Sequence, residues 1–275
     1  MVLSSNNIPD SKGINAYLRD KSFSKLLEYY CGKELFEQVE NKFIELGEIV
    51  GSELEELALS ADKNPPKLKK RSRVGELSND IEKHPDFIKI EKFAFEKFGL
   101  AAMSHRHGVF GMQQPLPPIV KYGLTFLFVQ SEFGLCCPLS MTDSLTRTLT
   151  KFGDKKLIDK FFDQLTSQDL DHLFQGAMFM TEQHAGSDVG SIDTYAEYED
   201  GNWFLTGDKW FCSNPDADLA MVLARHNKTI SGTKGLALFL LPKKLENGNQ
   251  NNYEIIRLKD KLLSLIHISE PTRPL

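Results

Sequence analysis

The chain has 275 residues, of which 41% are hydrophobic and 26% are charged, so a packed globular protein is expected rather than a disordered one. Its net charge of −5 argues against a protein built mainly to hold nucleic acid through phosphate contacts. The sequence has no run of about 18 apolar residues, so no membrane span is predicted.

The first 170 residues have the apolar spacing of helices, and little in them resembles a strand. Apolar residues recur at steps of three and four between Leu35 and Leu57, which predicts one long amphipathic helix. Asn64-Pro65-Pro66 ends it, because proline lacks a backbone donor and restricts the residue before it. A charged loop is predicted over 67–73. Further helices are predicted from about 86, over 119–136 with a break before Pro138, over 140–152 and over 154–165.

After Leu173 the pattern changes to that of strands. Residues 195–199 alternate, Asp200-Gly201 predicts a tight hairpin turn, and 203–206 form the returning strand. Short apolar runs at 219–223, 236–241 and 255–258 have the length of strands. Helices followed by strands indicate an α+β fold. We expect an all-α helical domain over 1–172 and a truncated antiparallel β-barrel or β-sheet domain over 173–262.

The last residues, 263–275, resemble a translated sequencing-library adapter and are interpreted as a non-native tail. The start of the chain is polar and has no signal-peptide core. The spacing of the four cysteines (Cys31, Cys136, Cys137 and Cys212) fits neither a zinc site nor a disulfide framework, so we expect a reduced cytoplasmic protein without a metal site. The Cys136-Cys137 pair is expected in buried packing.

A loop rich in hydroxyl and glycine residues is the first candidate binding element. Thr181 and Ser187 supply hydroxyls, Gly186 permits close approach of the backbone to a bulky anion, and Met178 and Met180 are apolar neighbours. Successive backbone N–H groups in such a loop can form an anion-binding concavity. Taken alone, Gly-Ser-Asp is also a common exposed turn.

An aromatic segment about thirty residues later is the second candidate element. Trp210 and Phe211 are predicted to lie on opposite faces of one strand, with the Ser213 hydroxyl on the same face as Phe211. Such a face suits a flat ring with polar edges. Cys212 lies within this segment and would be redox-sensitive if its pKa were lowered. An ordinary hydrophobic strand is the alternative interpretation.

Together the two segments read Met-Thr-Glu-x-x-Ala-Gly-Ser-Asp and Gly-Asp-Lys-Trp-Phe-x-Ser-Asn. This pair strongly resembles the middle domain of the acyl-CoA dehydrogenase family, whose members hold FAD between a helical domain, a β-domain and a second helical domain. The resemblance implies eight FAD-binding residues: Met178, Met180, Thr181, Gly186, Ser187, Phe211, Cys212 and Ser213. It implies that the methionines and Thr181 lie against the isoalloxazine, with Phe211 against the ring and Ser213 at its edge. It implies that Gly186 and Ser187 serve the polar portion of FAD or the acyl thioester.

The N-terminal half resembles one branch of that family. Asn64-Pro65-Pro66-Lys67-Leu68, Cys137-Pro138-Leu139-Ser140-Met141-Thr142 and Gln183-His184 are similar to the adaptive-response (AidB-like) branch. The resemblance runs from about Asn15 to Leu262. It implies an acyl-CoA substrate, an electron acceptor that the sequence does not identify, and a homotetramer for the full-length protein.

The implied reaction is α,β-dehydrogenation of an acyl thioester. In the family, the general base is a glutamate of the C-terminal helical domain, which this chain does not contain, so no catalytic residue is predicted here and the chain alone is expected to be inactive. Glu182 is expected to brace the loop instead. The alternative is a DNA-associated alkylation-response flavoprotein with little dehydrogenase activity; a non-catalytic interaction module is a third interpretation.

Three other features are given ordinary roles. His105 and His107 lie two residues apart, a spacing that is only weak evidence for metal ligands, and both are expected in a solvated loop. His184 is expected to be an exposed loop histidine. The basic run over 67–73 could meet nucleic acid, and a solvated linker is the favoured interpretation.

Overall fold

The computed structural model of this protein describes residues 11–259 and 268–270. In these ranges the α-helices are α1 Lys21–Cys31, α2 Lys33–Val50, α3 Glu53–Lys63, α4 Pro85–Glu91, α5 Pro118–Phe128, α6 Cys136–Phe152 and α7 Lys155–Leu165. A π-helical turn, Lys92–Lys97, continues α4. No helix among these is long and apolar enough to cross a membrane.

The long helix predicted between Leu35 and Leu57 is interrupted, so that α2 and α3 are separate helices. The apolar stripe itself is buried as predicted, with Val39, Phe43 and Leu46 fully buried. The interruption lies at Gly51-Ser52, where the Gly13 N–H donates to the Gly51 carbonyl at 2.7 Å. A side chain at Gly51 would overlap the Ile14 carbonyl, so the chain at 13–14 packs where only glycine leaves room.

The prediction of a charged loop over 67–73 is wrong, because this segment forms a hairpin of β1 Lys67–Arg71 and β2 Leu77–Glu82. Its partners are distant in sequence. Lys70 forms an ion pair with Glu254 at 2.7 Å and also donates to the Ile255 carbonyl. Asn79 donates to the Tyr253 carbonyl at 2.7 Å and accepts from the Ile255 N–H at 3.0 Å. The hairpin is therefore held by the segment near residue 254.

The predicted helix break before Pro138 is also wrong. Helix α6 begins at Cys136, so Pro138 lies in its first turn, and α5 has already ended at Phe128. A proline is tolerated in the first turn because its missing N–H would have no partner within the helix there.

The second half forms one eight-stranded sheet. Its strands are β3 Gly176–Phe179, β4 Tyr195–Glu199, β5 Asn202–Thr206, β6 Cys212–Ser213, β7 Leu219–Arg225, β8 Leu236–Pro242, β9 Arg257–Leu258 and β10 Ile268–Glu270. The order is β5-β4-β7-β3-β6-β10-β9, with β8 paired to β7. The α+β class is confirmed, but the sheet is mixed rather than antiparallel, because β3 and β4 run parallel to β7.

The hairpin predicted around Asp200-Gly201 is confirmed. Strands β4 and β5 pair from Tyr195 opposite Thr206 to Glu199 opposite Asn202. Asp200 and Gly201 have φ of 48° and 84°, the left-handed pair that a two-residue turn of this twist requires.

Only residues 268–270 of the tail predicted as non-native are described. Their backbone, β10, pairs with β6 and β9. Residues 263–267 and 271–275 lie outside the described residues, and the interpretation of the tail stays a prediction.

Helix α6 fixes the position of β3 in the sheet. The Gly176 N–H donates to the Thr142 hydroxyl at 2.9 Å, and an added Cβ at Gly176 would lie 2.9 Å from the Thr142 Cα. Leu145 and Leu149 of the same helix pack with Leu219 and Met221 of β7. A larger core fills the helical half. The strand that leads into the first candidate segment is thus held against a helix.

Candidate flavin site

The two candidate segments meet in space. Met178 lies directly opposite Ser213 across β3 and β6. The Trp210 N–H donates to the Thr181 carbonyl at 2.8 Å, and Lys209 Nζ donates to the Met180 carbonyl at 3.1 Å. Two stretches about thirty residues apart therefore lie side by side, and together they are called the patch below.

A buried ion pair joins these segments. The Glu182 residue is 4% exposed, and its carboxylate lies 2.8 Å from Lys209 Nζ. It also accepts from the backbone N–H groups of Asp193, at 2.7 Å, and Thr194, at 3.0 Å. Burial raises the pKa of this carboxyl, but the hydrogen bonds from Lys209 and Thr194 outweigh it and leave the pKa below its ordinary value. Glu182 therefore braces the loop as expected, as an ionised acceptor.

The loop after Glu182 is open. Gly186 and Ser187 are both exposed, and a Cβ added at Gly186 would meet no atom within 4 Å. The protein's own packing does not require glycine at this position. Asp188 accepts from the Gly190 N–H at 3.1 Å and so begins the following 3-10 turn, Val189–Ser191. The exposed part of the loop is thus bounded by Glu182 and Asp188.

The aromatic segment differs from its prediction. Phe211 and Trp210 do not lie on one strand, because Phe211 has a left-handed φ of 55° and β6 contains only Cys212 and Ser213. The Phe211 residue is 44% exposed, and its ring centroid lies 6.3 Å from that of Trp210. Lys259 Nζ lies 4.2 Å from the Phe211 centroid. The result is an exposed aromatic corner rather than a flat strand face.

The remaining predicted residues divide by burial. Met178, Met180, Thr181 and Ser213 are half-buried. Cys212 is 2% exposed and packs in a cluster with Phe179 and Val222, so its thiol belongs to the core. Cys212 would therefore contribute only backbone atoms to a ligand at this patch.

Sequence reasoning missed Asn214 and Gln175. Asn214 is fully buried with a φ of 57°, and its Nδ2 donates to Gln175 Oε1 and to the Gly176 carbonyl, both at 3.1 Å. The signal was the residue type, since asparagine tolerates left-handed backbone better than most residues. The partners could not be read from the sequence, because they lie nearly forty positions away.

The expected solvated loop at His105 is wrong for that residue. The His105 side chain is 6% exposed, and its Nε2 lies 2.8 Å from Asp143 Oδ1, while Lys121 Nζ lies 2.7 Å from Asp143 Oδ2. His107 is exposed. Burial raises the Asp143 pKa, but the bonds from His105 and Lys121 outweigh it and lower the pKa overall. The cluster ties the loop at His105 to α5 and α6.

Two smaller expectations were tested by burial. His184 is exposed, as predicted. Cys136 and Cys137 are half-buried, so the prediction of buried packing is wrong for both, and all four cysteines are free thiols. Exposure at the start of α6 explains the difference, since the first turn of that helix is only partly covered.

Glu182, His184 and Asp193 bring one possible metal-ligand atom each within 4.8 Å of one another. The Glu182 carboxylate, however, already binds the Lys209 ammonium and two backbone N–H groups. A divalent cation would have to displace a buried positive charge, so this group does not form a convincing metal site.

Comparison with known proteins matches both halves of the chain. The model of the adaptive response protein AidB N-terminal domain matches residues 6–172, and the model of the acyl-CoA dehydrogenase middle domain matches residues 177–262. Acyl-CoA dehydrogenase family member 11 of Caenorhabditis elegans is 31% identical over 257 residues, which cover 90% of this chain and 41% of that protein. The putative acyl-CoA dehydrogenase AidB of Escherichia coli is 31% identical over 225 residues, covering 75% and 38%.

The structural comparison agrees. The crystal structure of Caenorhabditis elegans ACDH-11 in complex with C11-CoA is 27% identical with a TM-score of 0.83, over 100% of this chain and 47% of that one. The chain spans about two fifths of the length of these curated relatives. The N-terminal match alone covers more than half of the chain. The chain therefore belongs to the AidB-like branch of the acyl-CoA dehydrogenase family.

Proposed function

We propose that this chain is the N-terminal and middle part of an FAD-dependent acyl-CoA dehydrogenase-like flavoprotein that oxidises the α,β bond of an acyl thioester. The observation that supports this most is the junction of the two motif segments. Met178 lies opposite Ser213, and the backbone N–H of Trp210 donates to the Thr181 carbonyl. Separate stretches of sequence thereby present methionine, hydroxyl and aromatic groups together.

The residues of the patch fit a flavin. Met178, Met180, Thr181, Phe211 and Ser213 would hold the isoalloxazine, and exposed Gly186 and Ser187 would bind the polar portion of FAD or the thioester. The space around Gly186 is the test of fit, because a glycine that packing does not require leaves the backbone accessible to a ligand. When bound, FAD would supply the acceptor for the hydride. The residues named here would hold and orient the flavin ring.

The substrate class follows from the relatives. The Caenorhabditis elegans structure was solved with C11-CoA, and we assign an acyl-CoA to this protein as well. The same proposal has four further parts. They are the domain division between 172 and 173, the non-native tail, the homotetramer of the full-length form and the inactivity of the chain alone. None of these needs a catalytic residue within the chain.

FAD titration tests the proposal. We expect the 275-residue chain or its full-length form to take up FAD, with a shifted visible absorbance and quenched flavin fluorescence. Gly186→Val should weaken that binding without changing the unfolding midpoint, because its side chain would enter ligand space rather than protein. A full-length protein that stays colourless under every reconstitution condition would contradict the proposal.

The DNA-associated alternative has less support. The basic strand β1, which is the candidate contact, has Lys69 paired with Glu82 at 2.9 Å and Lys70 paired with Glu254. These pairs reduce the positive charge offered to phosphates. A salt-dependent DNA titration of the full-length protein decides between the two: binding tighter than that of an acidic control would favour the alternative.

A further inference from the structure

A line of polar side chains connects the helical half to the aromatic segment. Lys83 Nζ lies 3.0 Å from Glu91 Oε1, and Gln175 Nε2 donates to the same oxygen at 3.1 Å. Gln175 Oε1 in turn accepts from Asn214 Nδ2 at 3.1 Å. These four residues, Lys83, Glu91, Gln175 and Asn214, are called the polar relay below. It runs from Lys83, just after β2, and from α4 to the residue after Ser213.

The relay is buried and its geometry is constrained. The Glu91 and Lys83 side chains are 6% and 14% exposed, and Asn214 is fully buried. The backbone of Gln175 is held separately, because its N–H donates to Asp218 Oδ2 at 2.9 Å. With its backbone fixed, the Gln175 side chain can bridge only one arrangement of Glu91 and Asn214. Removing the Gln175 side chain would leave the buried Glu91 carboxylate and the buried Asn214 amide each with one hydrogen bond fewer, which is costly.

The end of the relay lies where the backbone is least favourable. Phe211 and Asn214 both have left-handed φ values, 55° and 57°. For residues other than glycine this conformation is sterically unfavourable, though less so for asparagine. Such a conformation persists only when surrounding contacts enforce it. The bonds from Asn214 to Gln175 and to the Gly176 carbonyl are the side-chain contacts at that position.

We propose that Glu91 and Gln175 are positioning residues, which hold the segment from Phe211 to Asn214 through the Asn214 side chain. The helical half thereby sets the orientation of the exposed aromatic corner. The expected effect on FAD binding rests on the proposed function. The expected effect on the conformation of the segment from Phe211 to Asn214 does not.

Trp210 makes the geometry measurable without any ligand. The chain has two tryptophans, and Trp203→Phe leaves Trp210 as the single emitter beside Phe211. In that background we compare Gln175→Met with Gln168→Met. Both glutamines are half-buried and each donates one side-chain bond, Gln168 to the Glu96 carbonyl at 2.8 Å. Methionine keeps the shape of glutamine and removes its hydrogen bonds.

We expect Gln175→Met to change the emission maximum and acrylamide quenching of Trp210, and Gln168→Met to leave both unchanged even where it lowers stability. Equal effects of the two variants, or none from Gln175→Met, would overturn the proposal. If Gln175→Met does not fold, Glu91→Met replaces it in the same comparison, because it removes the oxygen that accepts from Gln175 and still leaves Lys83 the Asp216 carboxylate at 3.9 Å.

FAD affinity provides the second readout. We expect Gln175→Met to weaken FAD binding about tenfold, as the loss of buried hydrogen bonds predicts, with no change for Gln168→Met. If both variants bind FAD like the parent chain, the relay does not position the flavin site and this part is overturned. If the parent chain binds no FAD, the proposed function fails. The Trp210 fluorescence of the two variants still decides whether the polar relay holds the segment from Phe211 to Asn214.

Discussion

The Glu182 carboxylate connects three parts of the candidate site, and its removal is our first prediction. Glu182→Gln keeps the shape of the side chain but leaves the Lys209 ammonium, whose side chain is 3% exposed, without its counter-charge. Breaking a buried pair by removing one partner costs about 3–5 kcal/mol. We expect a loss of this size in the free energy of unfolding, measured with urea.

The matched control for this variant is Glu197→Gln. Glu197 pairs with Lys228 at the similar distance of 2.9 Å, but the two side chains are 47% and 59% exposed. An exposed pair contributes less than about 1 kcal/mol. If the two variants lose the same small amount of stability, burial does not govern the Glu182–Lys209 pair.

The pH dependence of stability is the second prediction at this scale. The pKa of Glu182 is lower in the folded protein than its ordinary value of about 4.3. Its contribution to stability is therefore fully present above that ordinary value and is lost as the pH falls through the lower, folded-state value. We expect the stability difference between the parent chain and Glu182→Gln to stay constant from neutral pH to about pH 5 and to shrink below about pH 4. Urea unfolding across this range measures it; a difference that is constant down to the lowest pH would contradict the prediction.

At the scale of elements, two glycines can be compared, one that packing requires and one that leaves the backbone open to a ligand. An added Cβ at Gly176 would lie 2.9 Å from the Thr142 Cα and 3.0 Å from the Met141 carbonyl oxygen, so β3 and α6 would have to move apart. We expect Gly176→Ala to destabilise the protein by about 1–3 kcal/mol. Gly186→Ala should change stability by less than about 0.5 kcal/mol, because nothing lies within 4 Å.

Thermal unfolding of the two alanine variants checks this prediction. Both substitutions add one methyl group, and neither position has a left-handed φ, so the comparison isolates the surroundings of the Cβ. A destabilised Gly186→Ala would mean that the loop packs against the protein and is not open to a ligand.

The elements also show where prediction from sequence succeeds. The helical stripe of α2 and the hairpin at Asp200-Gly201 depend on neighbours within a few residues, and both were predicted. Hairpin β1–β2 was missed although its strands pair locally, because β1 is a mostly charged run without apolar alternation; its contacts with Tyr253 and Ile255 lie more than 170 positions away. The parallel pairing of β3 with β7 was missed because those two strands are distant in the sequence.

The candidate site was predicted in the same uneven way. The motif predicted that the two segments meet, and they do, with the Trp210 N–H bonded to the Thr181 carbonyl and Met178 opposite Ser213; the roles of the individual residues stay predictions. Strand alternation then misplaced Phe211, because a two-residue strand with a left-handed residue before it does not alternate. The partner of Glu182 could not be predicted, since Lys209 lies 27 residues away.

At the scale of the whole molecule, the two halves are joined by polar contacts, some buried and some partly exposed. The polar relay runs from α4 to Asn214, and hairpin β1–β2 holds the segment near Glu254. Charged and amide groups at such a junction are satisfied only in one relative placement of the halves. The candidate site lies on the β side of this junction, so its geometry depends on residues from the entire length that the structure describes.

The last prediction concerns turnover by the chain alone. Dehydrogenation of an acyl thioester needs a base for the α-proton, and a positioned base contributes about 10²–10⁴-fold to rate. Glu182 cannot serve, because it is buried and its carboxylate already binds Lys209 and two backbone N–H groups. The resemblance to the family implies a glutamate base from a further helical domain, and the chain spans about two fifths of the length of its curated relatives. We therefore expect the FAD-loaded 275-residue chain to reduce no dye acceptor with any acyl-CoA, while the full-length form assayed beside it does. Turnover by the chain alone would show that a base lies within it and would reopen the assignment of every carboxylate near Gly186.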